Sequence, residues 1–376
     1  RYEAQQSKLA EADDETLLSE RLLPDPDRVR LRVYATHSTH KTLTALRQGS
    51  MIHIYDDQFG HRNEEAFREA YMTHTSTSPN YQILASLDVG RRQVELEGFK
   101  LVQQQVESAK MLRRVISSHP VLRRRFRVLD GADLIPEKYR QSGGDSSDLE
   151  DSTLLSGERW EHDEFVLDPS RVTLYIALTG VDGDTFKHEY LMRRHGIQVN
   201  KTSRNTALFM TNIGTTNSSV AYLIEVLLKL AQEIDDEVDS MGPMDRRAHE
   251  RKIEEAQGKP PLPDFSRFHP RFRGDPSGDT PEGDLRDAFF LAYNDDLCEY
   301  VTPDEAVDRV DKGVDVVSAT FVIPYPPGFP ILVPGQEISR DILDYVHALD
   351  TREIHGYAHG LGYRVFTQEA LTQPET

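Results

Sequence analysis

Lys41 closes a run of short polar and imidazole side chains, Ala35-Thr36-His37-Ser38-Thr39-His40-Lys41, just beyond an alternating apolar segment. A lysine in such a loop can be partly desolvated. That favours loss of its proton and leaves an amine able to form a Schiff base with an aldehyde. Ser38 and Thr39 bring hydroxyl donors and His40 a ring N–H, so the same loop can aim hydrogen bonds at a phosphate. By residue type alone, a solvated surface amine is the competing reading. A second polar cluster, His74-Thr75-Ser76-Thr77-Ser78-Pro79, follows further along the chain.

The elements around these residues are readable from periodicity. Val29 to Ala35 alternates as a strand with one buried face after the loop Pro24-Asp25-Pro26-Asp27. A short apolar run, Met51 to Tyr55, is followed by a helical stretch from Glu64 to Met72. From Pro79 to about Ile116 the composition is helical, with a break expected near Gly98. A second unit begins near Arg127: Val172 to Leu178 and Thr206 to Ile213 read as strands, and Thr185 to His195 as a helix with Gly196 at its C-cap. Val220, Leu223, Ile224, Leu227 and Leu228 line one helical face. Gln141 to Gly157 and Gln257 to Gly283, the latter containing Pro260-Pro261-Leu262-Pro263, read as loops or linkers. The last stretch predicts a helix from Leu285 to Tyr293, a strand from Val316 to Ile323, a rigid turn from Pro324 to Pro330, a helix from Ser339 to Leu349 and a strand from Gly362 to Phe366.

Composition bounds the function. Forty-four Lys and Arg against 63 Asp and Glu give a net charge of −19, a field that repels a phosphate backbone and argues against nucleic-acid binding. Cys298 is the single cysteine; it cannot form an internal disulfide, reads as a small buried apolar residue, and makes a cytoplasmic location the expectation. No apolar run approaches membrane-spanning length, and the N-terminus has neither an initiator Met nor a signal-peptide core, so a piece of a longer protein is expected. The pairs His37/His40 and His355/His359 have metal-ligand spacing but no evident further ligands, and no metal is expected. Arg123-Arg124-Arg125-Phe126-Arg127 reads as a solvated edge or an interface charge set.

Several motifs together carry a family resemblance. Ser38-Thr39-His40-Lys41, Met51-Ile52-His53, Ala70 to Pro79 and Leu84-Ala85-Ser86-Leu87-Asp88 occur in the order of the large-domain segments of the bacterial ornithine/lysine/arginine decarboxylases, pyridoxal-phosphate enzymes of fold type I. Asp168-Pro169-Ser170-Arg171-Val172-Thr173, His195 to Val199, Ile323 to Gly328 and Ile354-His355-Gly356-Tyr357 continue that order over nearly the whole chain. The resemblance implies an α/β fold: the remainder of a cofactor-binding large domain (residues 1–126), a small aminotransferase-like α/β domain (127–235), a linker or insertion (236–284) and an α+β C-terminal domain (285–376).

It also implies roles. Lys41 matches the lysine that takes the cofactor aldehyde, and Ser38 and His40 match the residues beside it that hold the phosphate. Ser76, with Thr75 as its neighbour, matches the hydroxyl contributed from the second subunit of a homodimer whose site is shared. The implied reaction is decarboxylation of lysine, ornithine or arginine to the amine and CO₂. The family's aspartate for the pyridine nitrogen and its ring-stacking residue would fall at or before Arg1, and Asp13 and Asp14 read as solvated, so the chain alone is expected to be inactive without the upstream part of the protein. A non-catalytic scaffold or regulatory paralogue, or another reaction of the same cofactor such as transamination, are the alternatives.

Overall fold

The structure, a computed structural model, describes residues 12–19, 30–137, 165–258, 262–273, 283–325, 330–349 and 353–372. The sequence-predicted loop from Gln141 to Gly157 lies outside these residues, as do Val29 and residues 326–329 of the proline-rich turn. Helix and sheet are mixed, and the chain divides into two units, Arg1–Val106 with Thr211–Thr215, and Glu107–Met210 with Thr216–Thr376.

In the first unit β1 (Arg32–His37) leads into the single turn α1 (Thr39–Thr42), and β2 (Met51–Asp56) returns antiparallel to β1, with His37 opposite Met51 and Arg32 opposite Asp56. The alternation predicted one buried face, but Leu31 and Val33 are exposed and Ala35 is half-buried. The far end of this ribbon is tied together by Asp56, which accepts from Tyr34 Oη at 2.9 Å, Asn63 Nδ2 at 2.7 Å and the Gln58 N–H at 2.9 Å. Desolvation pushes that carboxyl up, yet these hydrogen bonds and Arg32 outweigh it and hold Asp56 below the usual carboxylate range.

A π-helical turn, Phe59–Asn63, precedes α2 (Glu64–His74), and α3 (Tyr81–Ser118) follows the polar connector. The break expected near Gly98 does not occur, and α3 is continuous over 38 residues. One glycine costs a helix interior only about 1 kcal/mol. Here Arg91 pairs with Asp88 and Glu95, Arg92 pairs with Glu95, and Leu87 and Val106 are buried, which together offset that cost.

The second unit holds β3 (Arg127–Val128), β4 (Arg171–Tyr175), β5 (Lys201–Thr202) and β6 (Thr206–Met210) in the antiparallel order β3-β4-β6-β5. The strand predicted from Val172 to Leu178 stops at Tyr175 because Ala177–Thr179 winds into a 3₁₀ turn closed by Gly180 at φ 70°. Val172, Leu174, Ala207 and Phe209 pack with Phe126, Phe186 and, from α4 (Asn217–Ser240), Val220, Leu227 and Leu230. The helix predicted from Thr185 begins at Gly183 and widens into a π-helix over Phe186–Arg193. Gly196, at φ 66°, caps it by donating its N–H to Met192 O. Arg124 and Arg125 both reach Asp235 on α4, so the basic run is an intramolecular charge set. A mostly exposed helix, α5 (Pro243–Gln257), follows.

The C-terminal part contains α6 (Leu285–Leu291), β7 (Cys298–Val301), α7 (Pro303–Asp311), β8 (Ile323–Tyr325), α8 (Arg340–Ala348), β9 (Glu353–His355), β10 (Tyr357–Ala358) and β11 (Gly362–Phe366). Sheets β10-β11-β7 and β8-β9 are antiparallel. Thr302 with Pro303 starts α7 and Ser339 caps α8 through the Ile342 N–H. The predicted strand from Val316 to Ile323 is instead a series of single bridges from Val317, Ser318 and Val322 to three different partners, since the chain turns from one neighbour to the next. Within the stretch read as a linker, Phe268 bridges to Gln336, and Phe272 is buried with its ring 5.1 Å from Phe366, so these two side chains are part of a core. Cys298 is half-buried, and burial pushes its thiol up.

Candidate active site

The β1–β2 connection brings Ser38, His40 and Lys41 together. Ser38 occupies the N-cap position of α1 without using its side chain there, and Lys41 N–H donates to Ser38 O at 3.0 Å. Thr39 is buried and donates its hydroxyl to His37 O. That burial turns the rest of the short turn outward. Lys41 and Ser38 are exposed, and among the described residues neither side chain has a hydrogen-bond or ion-pair partner. The expectation of a partly desolvated Lys41 is therefore not met within this chain by itself.

His40 is fixed. Its Nδ1 lies 2.9 Å from the Gly49 carbonyl, an atom that can only accept, so Nδ1 carries the proton. The outer nitrogen, Nε2, then offers a lone pair in the neutral ring and an N–H only when the ring is charged. Next to this turn the rings of His37 and His53 lie 4.6 Å apart.

The second cluster sits on the α2–α3 connector, where residues 71–80 are exposed. Its hydroxyls differ in chemistry. Thr75 Oγ1 donates to Tyr71 O at 2.7 Å, which uses its proton, whereas Ser76 Oγ accepts from the Ser78 N–H at 3.1 Å and keeps its own proton to give. The bonds described for the connector close within four residues; none joins it to Lys41.

This donor set fits a phosphate-bearing aldehyde. Ser38 and Ser76 retain hydroxyl protons, His40 can add an N–H, and Lys41 supplies the amine. Among the described residues no acid is hydrogen-bonded or ion-paired to Ser38, His40 or Lys41. Asp13 is exposed and caps the helix Asp14–Ser19 by accepting from the Thr16 N–H at 2.9 Å, and its bonds to Thr16 hold it below the usual carboxylate range. For the histidine pairs, His355 and His359 are both exposed, and the described residues contain no group of three or more His, Cys, Asp or Glu placed to hold a metal ion. Among the described residues no helix is long and apolar enough to cross a membrane.

The strand predicted from Thr206 to Ile213 ends at Met210, short of the residues that meet the Lys41 turn. Thr211–Thr215, which follows β6, belongs to the first unit and donates the Ile213 N–H to Thr42 O at the end of α1. Asn212 and Thr215 close this segment into a turn through their side chains, which ends the strand early.

Comparison with known proteins agrees with the motif order. Residues 19–219 match the family model for the Orn/Lys/Arg decarboxylase major domain, and residues 292–360 match that for the Orn/Lys/Arg decarboxylase C-terminal domain. The chain is 28% identical to a lysine decarboxylase of Pseudomonas aeruginosa over 91% of its own length and 49% of the relative's. It is 30% identical to the constitutive lysine decarboxylase of Escherichia coli (84% and 45%) and 26% identical to the biodegradative arginine decarboxylase of that bacterium (87% and 48%). The chain thus spans about half the length of the curated relatives it matches. Its fold resembles that of the lysine decarboxylase of Francisella novicida, with a TM-score of 0.55 at 23% identity, covering 92% of this chain and 50% of the other. With more than half of its residues inside the major-domain model and a second model matching further on, the chain belongs to the Orn/Lys/Arg decarboxylase family.

Proposed function

We propose that this chain contributes the lysine-bearing part of a pyridoxal-phosphate-dependent decarboxylase that converts lysine, ornithine or arginine to the corresponding amine and CO₂. The observation that carries the reading is the pair of donors without a partner among the described residues, Lys41 Nζ and Ser38 Oγ, on one turn beside a ring anchored through His40 Nδ1. Pyridoxal phosphate, when bound, supplies an electron sink for the bond to the departing carboxylate.

Each residue has a task in that reading. Lys41 would hold the cofactor aldehyde through its ε-amino group. Ser38 and His40 hold the phosphate and so fix the ring's position relative to Lys41 Nζ. Ser76, reaching from the second subunit of a homodimer, gives a further hydroxyl proton to the same phosphate, with Thr75 supporting the connector through Tyr71 O. The homodimer covers the exposed Lys41 turn and excludes water, and the location is cytoplasmic. The domain division at residues 126, 235 and 284 is part of the proposal.

Borohydride reduction of the cofactor-loaded protein at its full natural length, followed by peptide mapping, tests this. The cofactor is expected on Lys41, and product analysis is expected to give amine and CO₂. Label on another lysine, or a keto acid as product, rejects the reading.

A further inference from the structure

A lysine on a single helical turn has no stable direction of its own. The turn α1 contains Lys41 N–H to Ser38 O at 3.0 Å and Leu43 N–H to Thr39 O at 2.9 Å, and one isolated turn is unfavourable in water. Where Lys41 Nζ points is therefore set by what holds α1 from outside. On one side that is the bond from His40 Nδ1 to Gly49 O.

On the other side stands the segment Thr211–Thr215. Gln105 on α3 and Thr211 form a reciprocal pair: Gln105 Nε2 donates to Thr211 O at 2.8 Å, and Thr211 Oγ1 donates to Gln105 O at 3.1 Å. Both residues are 5% exposed. A buried amide and a buried hydroxyl that satisfy each other's backbone in this way fix the segment to α3, because breaking either bond strands a polar group out of water. Within the segment Asn212 N–H donates to Thr215 Oγ1 at 2.9 Å and Gly214 N–H to Asn212 Oδ1 at 2.9 Å, which shapes a tight turn. That turn presents the Ile213 N–H to Thr42 O at 3.2 Å. It also sets Gly214 against Thr44, where a Cβ would stand 2.8 Å from Thr44 Cγ2.

We infer that Gln105 and Thr211 are positioning residues for Lys41, acting through the Ile213 N–H on the last carbonyl of the Lys41 turn. The inference rests on Lys41 being the reactive amine. The chain leaves the four-stranded sheet after β6, gives five residues to the first unit as this brace, and returns as α4. Small displacements of a reacting group cost up to about 10²-fold in rate, so a loosened brace should show in the chemistry of Lys41 before it shows in the fold.

The test uses the full-length protein, pyridoxal phosphate as the probe and borohydride as the trap. It measures the rate and pH profile of labelling at the Lys41 peptide, and, without cofactor, hydrogen exchange at the Leu43 amide. Thr211→Val is nearly isosteric and removes one bond of the pair; Gly214→Ala forces the brace off Thr44. Both are expected to slow Lys41 labelling about tenfold, to move the pH of half-maximal labelling and to speed exchange at Leu43, with circular dichroism unchanged. Thr211→Ser should restore all three, and Thr44→Ser, which removes Cγ2, should rescue Gly214→Ala. If Gly214→Ala does not fold, the Thr211→Val and Thr211→Ser pair decides. Parent-like labelling and exchange in Thr211→Val overturn the brace while leaving Lys41 in place. Label on a different lysine in the unmodified protein overturns the Lys41 reading instead, and the exchange comparison still judges the brace.

Discussion

His40 Nδ1 and the Gly49 carbonyl lie 2.9 Å apart, and any side chain at Gly49 would crowd Leu87. A Cβ on Gly49 would stand 2.8 Å from Leu87 Cδ2 on α3 and 3.2 Å from Leu46 O. Gly49→Ala should push the carbonyl away from the imidazole and weaken retention of pyridoxal phosphate about tenfold, measured by equilibrium dialysis. His40→Asn separates two roles: its amide can still donate to Gly49 O but has no Nε2, so it should keep the loop's exchange protection and lose phosphate affinity.

The connector hydroxyls should separate as well. Ser76 keeps a proton to donate and Thr75 has given its own to Tyr71 O. Ser76→Ala is expected to weaken cofactor binding about tenfold, near the lower end for loss of one charge-assisted hydrogen bond. Thr75→Val should cost less than about threefold. Cofactor fluorescence titration of the two variants, with equal dimer content verified by sedimentation, gives the comparison.

Turnover should require more than this chain. Purified Arg1–Thr376 loaded with pyridoxal phosphate is expected to release CO₂ from lysine, ornithine and arginine at under about 10⁻³ of the rate of a relative at its full length, since the chain spans about half of such relatives and no described acid is bonded to the Lys41 turn. A ¹⁴CO₂-release assay on both samples decides it.

A pH dependence follows from His249. Its ring lies over Gly180 and its Nε2 is buried with no hydrogen-bond partner among the described residues; burial first, and Arg125 second, push its imidazole below the ordinary value of 6.5. The folded state thus binds this proton less readily than the unfolded chain. Its contribution to stability is full above the unfolded value of 6.5 and is lost as pH falls from there toward the lower folded value. Urea midpoints at pH 8, 6.5 and 5.5 should fall with pH, and His249→Gln should flatten that fall.

Gly362 sets the C-terminal sheet. It stands at φ 97°, and a Cβ there would overlap the Val301 carbonyl of the neighbouring strand. Gly362→Ala should destabilise by about 3 kcal/mol, combining strain with a forced shift of β7, seen as a lower urea midpoint.

What the sequence disclosed and what it hid divide by range of interaction. The Val220 to Leu228 spacing, the Gly196 cap and the Ser339 start are local, and each appears in the structure where periodicity and capping place it. Ser38, His40 and Lys41 are four consecutive positions with Thr39, so their meeting on one turn needed no long-range step. Gly98 misled because a local penalty was set against a helix held by distant packing. Phe268 and Phe272 were masked by surrounding prolines and charges, and only the fold reveals that Phe366 lies beside Phe272. The Gln105–Thr211 pair joins residues 106 positions apart, a contact no pattern within either segment announces.

The Phe268 ring has a consequence for anyone shortening this protein. Gly283 and Gly335 both crowd against it, leaving a slot that a plain glycine–serine tether could not fill. Trimming between α5 and α6 should therefore spare residues 265–273, since their removal would leave a hole in the C-terminal module rather than a tidier surface.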